Sequence, residues 1–259
     1  MDVIQFNKFA KLHNNKNIFF CKTDYVLEFF KNIQNHKEPS VLITGNSDYS
    51  IPDSLVMMAP ACIKKWFGQS MLADDPRVDG LPYGLENTDD CIIEGHGAGH
   101  KRYEKLFIAQ NPPIRDARKD IYANFSADTH PIREQVTNIC EKQQFITDRI
   151  TRDHTTINNL PYQMFVSEIL DHKMSVCPRG NAPADSHRFW EVLYMNRVPI
   201  VKTNKGNSYF LDLPVVCLDD WEELNDLNHI NKKYEQVKNN SREKLDMSYW
   251  EKKILNALD

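Results

Sequence analysis

The feature that most constrains this chain is an alternation of short apolar runs with helical patterns. It stops at Asn111-Pro112-Pro113 and then begins again. Strands that run parallel need a crossover, usually a helix, so this alternation predicts an α/β architecture on parallel sheets. Before the break, residues 18–21, 41–44 and 55–58 read as strands. Thr23 reads as the cap of a helix that puts Tyr25, Val26, Phe29, Phe30 and Ile33 on one face. Residues 63–67 read as a short helical stretch. Residues 76–87, with Gly80, Pro82 and Gly84, read as strand and loop, and a helix is expected over 102–110. After the break, strands are expected at 121–125, 145–147, 174–177, 198–201 and 215–218. Helices are expected from Pro131, over 162–170 and 186–195, at Trp221 behind an Asp219 or Asp220 cap, and over 248–258.

The restart, at this break or within the charged run 115–120, divides the chain into residues 1–112 and 113–259, expected as two parallel-sheet units. In open parallel sheets ligands settle at the carboxyl ends of the strands. The loops after residues 42–43, 123–124 and 176–177 are therefore the places to look for chemistry.

Composition narrows the partners. With 259 residues the chain can bury a core without disulfides or metal. Its 32 Lys+Arg against 36 Asp+Glu give a net charge of -4, which argues against a nucleic-acid coat but leaves room for a local cationic pocket. The six cysteines are scattered, with no CxxC pair, and read as buried free thiols of a reducing compartment. No basic-then-apolar leader is visible at the N-terminus, and no apolar run nears the ~20 residues that span a bilayer, so a soluble cytoplasmic protein is expected. Oligomeric state is not legible.

One segment carries most of the chemistry. Cys177-Pro178-Arg179-Gly180-Asn181 leaves a buried strand and enters a Gly/Pro loop, and Asp185-Ser186-His187-Arg188 opens the next helix. Free N–H groups and the dipole at such a helix end attract a phosphate, and Arg179 and Arg188 can add charge-assisted bonds. Asp185 is the expected N-cap. Asp185, Arg188 and Glu191, at i, i+3 and i+6, are expected along one face, with Glu191 a turn deeper, where it could accept vicinal hydroxyls such as those of a ribose. A purely structural alternative has Asp185 capping the helix while Arg188 and Glu191 pair on its surface.

These residues, continuing through Trp190-Glu191, Leu193-Tyr194 and Pro199-Ile200-Val201, resemble the donor-site signature of exostosin-like glycosyltransferases. A weaker resemblance covers 121–133, where Asn124-Phe125-Ser126 precedes Pro131-Ile132-Arg133. Residues 41–87 look like the acceptor half of small viral and bacterial members. The resemblance implies a GT-B fold of two Rossmann-like domains. Residues 1–112 would form the acceptor side and 113–259 the donor side, with the last helix packing back on the first domain. It implies inverting, metal-independent transfer of a hexose or a pentose such as xylose to a glycan hydroxyl. The donor would be a nucleoside-diphosphate sugar, expected to be UDP-linked. Arg179, Arg188 and Arg133 would bind the pyrophosphate and Glu191 the ribose. Asn124, Gly180, Asn181, Asp185 and His187 would complete the donor pocket.

Inverting transfer needs a base near the acceptor hydroxyl. Asp48, after a buried strand and a Gly-Asn turn, is the first candidate, with Glu86, Asp79 and His96 as alternatives; Asp48 could also be a turn residue bonding its own backbone. Two rival readings remain. One is a non-catalytic nucleotide-sugar or glycan-binding module. The other is a metal-dependent hydrolase at Glu94, His96 and His100, although the glycines around them disfavour a regular helix; a mobile loop over the cleft suits that stretch better. Trp66 suits either a sugar-stacking platform or half-buried core. No GxxxxGK[ST] is present and no GxGxxG follows the first strand, which excludes a P-loop and argues against a dinucleotide oxidoreductase.

Overall fold

The computed structural model describes residues 1–15, 17–88, 101–152 and 161–258. In chain order the elements are α1 (Phe6–Ala10), β1 (Ile18–Lys22), α2 (Val26–Ile33), β2 (Ser40–Gly45), α3 (Asp53–Met57), β3 (Ile63–Gly68), β4 (Val78–Gly80), α4 (Arg102–Gln110), β5 (Lys119–Ala123), α5 (Pro131–Cys140), β6 (Ile146–Asp148), α6 (Tyr162–Asp171), β7 (His172–Val176), α7 (His187–Tyr194), β8 (Val198–Lys202), β9 (Val216–Leu218), α8 (Leu227–Val237) and α9 (Met247–Leu255). Two sheets result, β1-β2-β3-β4 and β6-β5-β7-β8-β9, parallel throughout. The expected pair of Rossmann-like α/β units is therefore present. Among the described residues no helix is long and apolar enough to cross a membrane.

Two local expectations are overturned. Residues 55–58 form no strand. Pro52 and Asp53 open α3, which buries Val56 and leaves Met57 and Met58 81% and 61% exposed. A strand inside a parallel sheet is covered on both faces, and two exposed methionines fit a surface helix instead. Residues 63–67 form no helix but the inner strand β3. Ile63, Trp66 and Phe67 are buried, and Lys64 stays in solvent at the strand's entry. Trp66 is core: its indole N–H donates to Thr44 Oγ1 at 2.8 Å, so the ring is buried with its one donor satisfied. Thr23 caps nothing; it lies in a 3-10 turn before α2, with its hydroxyl buried and unbonded. Asp220, by contrast, caps the 3-10 turn at Trp221 through a capping box with Glu223.

The two sheets share a core. Val3, Ile4 and Phe6 from the N-terminus, Leu81 and Leu85 from the segment after β4, Trp190 and Tyr194 on α7, and Trp250 and Ile254 on α9 form one buried cluster. Burying side chains of this size is worth roughly 1.5–3 kcal/mol each, so the apposition of the sheets rests mainly on apolar area. Directional bonds set its register. The Tyr194 hydroxyl donates to the Leu245 carbonyl and accepts from the Ile4 amide, each at 2.8 Å. Lys253 on α9 reaches Asp79 at 2.5 Å, so the last helix does pack back against the first sheet's side. Gly84, at φ +64°, lets the strap after β4 lie against Ile4. A Cβ there would sit 2.3 Å from the Ile4 carbonyl oxygen, a contact that would have to break.

Candidate functional site at the strand ends

α5 and α7 follow β5 and β7, so both helices begin at the carboxyl edge of the second sheet. Pro131 stands at the first position of α5, where its missing N–H costs nothing, and the His130 ring accepts from the Ile132 amide at 3.2 Å. This places Arg133 beneath the loop that leaves β7. Its guanidinium donates to the carbonyls of Arg179, Ser126 and Pro178 at 2.8, 3.0 and 3.3 Å and lies over the Phe125 ring. None of these partners is a carboxylate. Burial, and then the charge of Arg188, lower the Arg133 pKa to about 10. Arg179 folds its own loop by donating to Gly180 O at 3.3 Å and Asn181 O at 3.0 Å. His130 is pushed down by burial first, then by Arg179 and Arg133. The expected arginines thus share one positive field. Asn181 is exposed beside them, and a Cβ on Gly180 would meet only Arg133, at 3.6 Å.

Arg188, on the first turn of α7, is fixed on several sides. Its Nε donates to Glu191 Oε2 at 3.0 Å, and one terminal nitrogen donates to the Asn124 carbonyl and, at 3.4 Å, to the Asn124 side chain. Its plane lies 4.2 Å from the centroid of the Phe165 ring. Asn124 is in turn held by donating to the Tyr122 hydroxyl at 2.9 Å. So Arg188 and Glu191 do pair, but Glu191 is buried, not on the surface. Its other oxygen meets Lys105 of α4 at 2.5 Å, and Lys105 also binds Glu86. Burial works to raise the Glu191 pKa, yet Lys105 and Arg188 hold it below the ordinary carboxylate value. A ribose reaching Glu191 would have to compete with two cations already in place.

Asp185 is not the helix cap. Ser186 occupies that position without a side-chain bond, leaving the first turn of α7 uncapped. Asp185 is instead buried ahead of the helix, accepts from the Trp190 indole, and is driven up to about 8 by burial. It lines a cavity of about 150 Å³ at the ends of β7 and β8, with Cys177, Arg179, Phe189, Asn204 and Trp221 also in the wall.

Across from this wall stands the edge of the first sheet. Asp48 lies exposed in the loop after β2. Beside it Tyr83 donates to Ser47 O at 3.1 Å and shares a 2.9 Å bond with Ser70, and its ring meets His187 edge-on at 6.1 Å. His187 donates through Nδ1 to the Gly84 carbonyl at 2.8 Å. The Tyr83 phenol is pushed up by burial, further by Asp185 and Asp48, and is opposed by Arg179. Asp48 and the arginine loop, far apart in sequence, therefore act on one phenol. Glu86, the alternative base, is tied to Lys105. His96, with Glu94 and His100, lies outside the described residues, as does any loop they form; among the described residues no cluster of His, Cys, Asp and Glu could hold a metal ion. Cys21, Cys62, Cys140 and Cys177 are buried free thiols and Cys217 a half-buried one, and burial raises the pKa of Cys21, Cys140, Cys177 and Cys217. Lys105 and Tyr83 were not singled out from the sequence: both act across the two sheets, and no local pattern marks such a role.

No family model and no curated protein sequence matches the chain. Among solved structures it is similar to an α1,3-fucosyltransferase at 13% identity, with 93% of this chain and 76% of that chain covered and a TM-score of 0.48. A second similar structure, an α1,3-fucosyltransferase with GDP-fucose, is 11% identical, with coverages of 93% and 88% and a TM-score of 0.43. Likenesses this distant carry no residue roles.

Proposed function

We propose that the chain is an exostosin-like glycosyltransferase of GT-B architecture, with residues 1–112 on the acceptor side and 113–259 binding a nucleoside-diphosphate sugar. The observation that carries this reading is the convergence of Arg133, Arg179 and Arg188 at the carboxyl ends of β5 and β7, with Arg133 bonded, among the described residues, only to carbonyls. A largely buried cation such as Arg133, without a carboxylate of its own among the described residues, favours an anion of matching charge, and Arg188 keeps one terminal nitrogen unbonded beside it. Beside them the uncapped first turn of α7 adds a second attraction for phosphate.

In the proposed reaction Asp48 takes the proton of an acceptor hydroxyl. The oxygen attacks the anomeric carbon, and the bond to the diphosphate breaks on the opposite face, inverting the centre. Arginines placed before the reaction neutralise the departing diphosphate without reorganising, so the metal-independent reading needs no further charge. Asn124 holds Arg188, while Gly180, Asn181, Asp185 and His187 shape the pocket; the roles of Glu191 on the ribose and Glu86 as substitute base both require breaking existing ion pairs. A reducing, cytoplasmic setting belongs to the same proposal and rests on the buried thiols.

Thermal unfolding with UDP, GDP and their sugar conjugates tests the reading, since a ligand of the native state raises the midpoint by mass action. A clear rise is expected with one diphosphate, persisting in excess chelator and lost in Arg188→Ala. No rise with any of them would refute the donor site.

A further inference from the structure

The buried ion pairs that join α4 to α7 bear directly on how Arg188 can meet a ligand. Lys105 is 14% exposed and lies between Glu86 and Glu191. It occupies Oε1 of Glu191, so Arg188 has only Oε2, which it meets through Nε. One terminal nitrogen of Arg188 is spent on Asn124, and the other, Nη2, has no hydrogen-bond partner among the described residues. An arginine and a carboxylate left to themselves close a two-bond fork that uses the guanidinium edge on both sides. Lys105 blocks that fork.

We infer that Lys105 is a positioning residue for the donor site. By dividing the two oxygens of Glu191 it keeps Arg188 in single contact, with Nη2 held out for an oxygen of the diphosphate. The inference rests on the proposed function and adds to it a residue from outside the donor half. It also explains why a buried glutamate sits beside a phosphate-binding arginine at all: Glu191 aims the guanidinium, and Lys105 stops it from consuming the guanidinium.

The groups facing Glu191 are Lys105 on α4, Arg188 and His187 on α7, Glu86 on the strap after β4, Tyr162 on α6 and Cys177 after β7. In Lys105→Met the carboxylate stays buried, loses its nearest cation and takes both arms of Arg188. Calorimetric titration with UDP and with GDP should show affinity about ten-fold or more below wild type near neutral pH. With pyrophosphate as the probe, which carries no ribose for Glu191 to meet, adding Glu191→Gln to Lys105→Met should bring binding back to within about three-fold of wild type, since the competing charge is gone while the amide oxygen still accepts from Arg188.

A loss in Lys105→Met that is not relieved by Glu191→Gln overturns the inference, as does unchanged binding. If Lys105→Met fails to fold by circular dichroism, the double variant decides alone: near-wild-type affinity supports the inference and lost affinity overturns it. Wild-type protein that binds neither diphosphate overturns the proposed function, and the inference with it. That outcome is distinct from a wild type that binds and a variant that does not care.

Discussion

The two sheets bring opposite things to the cleft. The second presents groups that are already desolvated and fixed: Arg133 on three carbonyls, Arg188 between Glu191, Asn124 and Phe165, and Asp185 buried in the wall. The first presents Asp48, exposed on a loop. Preorganised charge lowers the cost of holding a diphosphate, because the cations need not be stripped of water or reoriented on binding. A base needs something different, namely access to an incoming hydroxyl and a carboxylate that stays ionised. On the proposed function, binding is thus built mainly into one half of the molecule, with Lys105 as the first half's contribution, while chemistry depends on how that first half faces it.

The sharpest way to break this comparison is Asp48→Asn. If the division holds, sugar transfer measured with saturating donor falls by about 10²–10⁴-fold, while diphosphate affinity and unfolding midpoint stay near wild type. A matching loss of affinity would mean that Asp48 belongs to the binding half.

A smaller effect is expected from the buried carboxyl of the second half. Burial pushes the Asp185 carboxyl up to about 8 in the folded protein, from an ordinary value of 3.8. Between those values the native state holds a proton that the unfolded chain has released, so stability from this group falls as pH rises from about 4 to about 8. Denaturant unfolding should show Asp185→Asn flattening that decline. An unchanged slope would place the titration elsewhere.

The smallest effect separates a glycine required by the fold from one that is not. Gly180→Ala puts its Cβ in ordinary contact with Arg133, and stability should stay within about 0.5 kcal/mol of wild type in denaturant unfolding. A large loss would show that the loop after β7 is tighter than the Arg133 contact implies.

Strand–helix alternation and the Asn111-Pro112-Pro113 break made the two parallel sheets legible, because a parallel strand buried on both faces leaves a short continuous apolar run. The same reasoning failed at residues 55–58 and 63–67. Short apolar runs carry no period of their own, and the choice between helix and strand fell to which neighbour covers them. Met57 and Met58 found none, whereas Trp66 and Phe67 sit inside a sheet.

The candidate site divides in the same way. Cys177 to Glu191 could be picked out as a candidate from local chemistry alone, since a Gly/Pro loop between strand and helix with flanking arginines suits a phosphate, although a purely structural alternative stayed open. What each side chain does there was decided in three dimensions. Asp185 was expected to cap α7 and is buried ahead of it; Glu191, the candidate for a surface pair with Arg188, is buried and also bound by Lys105. Sequence determines which charges exist and which lie within a helical turn of each other. Only the packed tertiary structure decides which are desolvated and which cation reaches a buried carboxylate first, because those energies depend on distances between residues that the chain itself holds far apart.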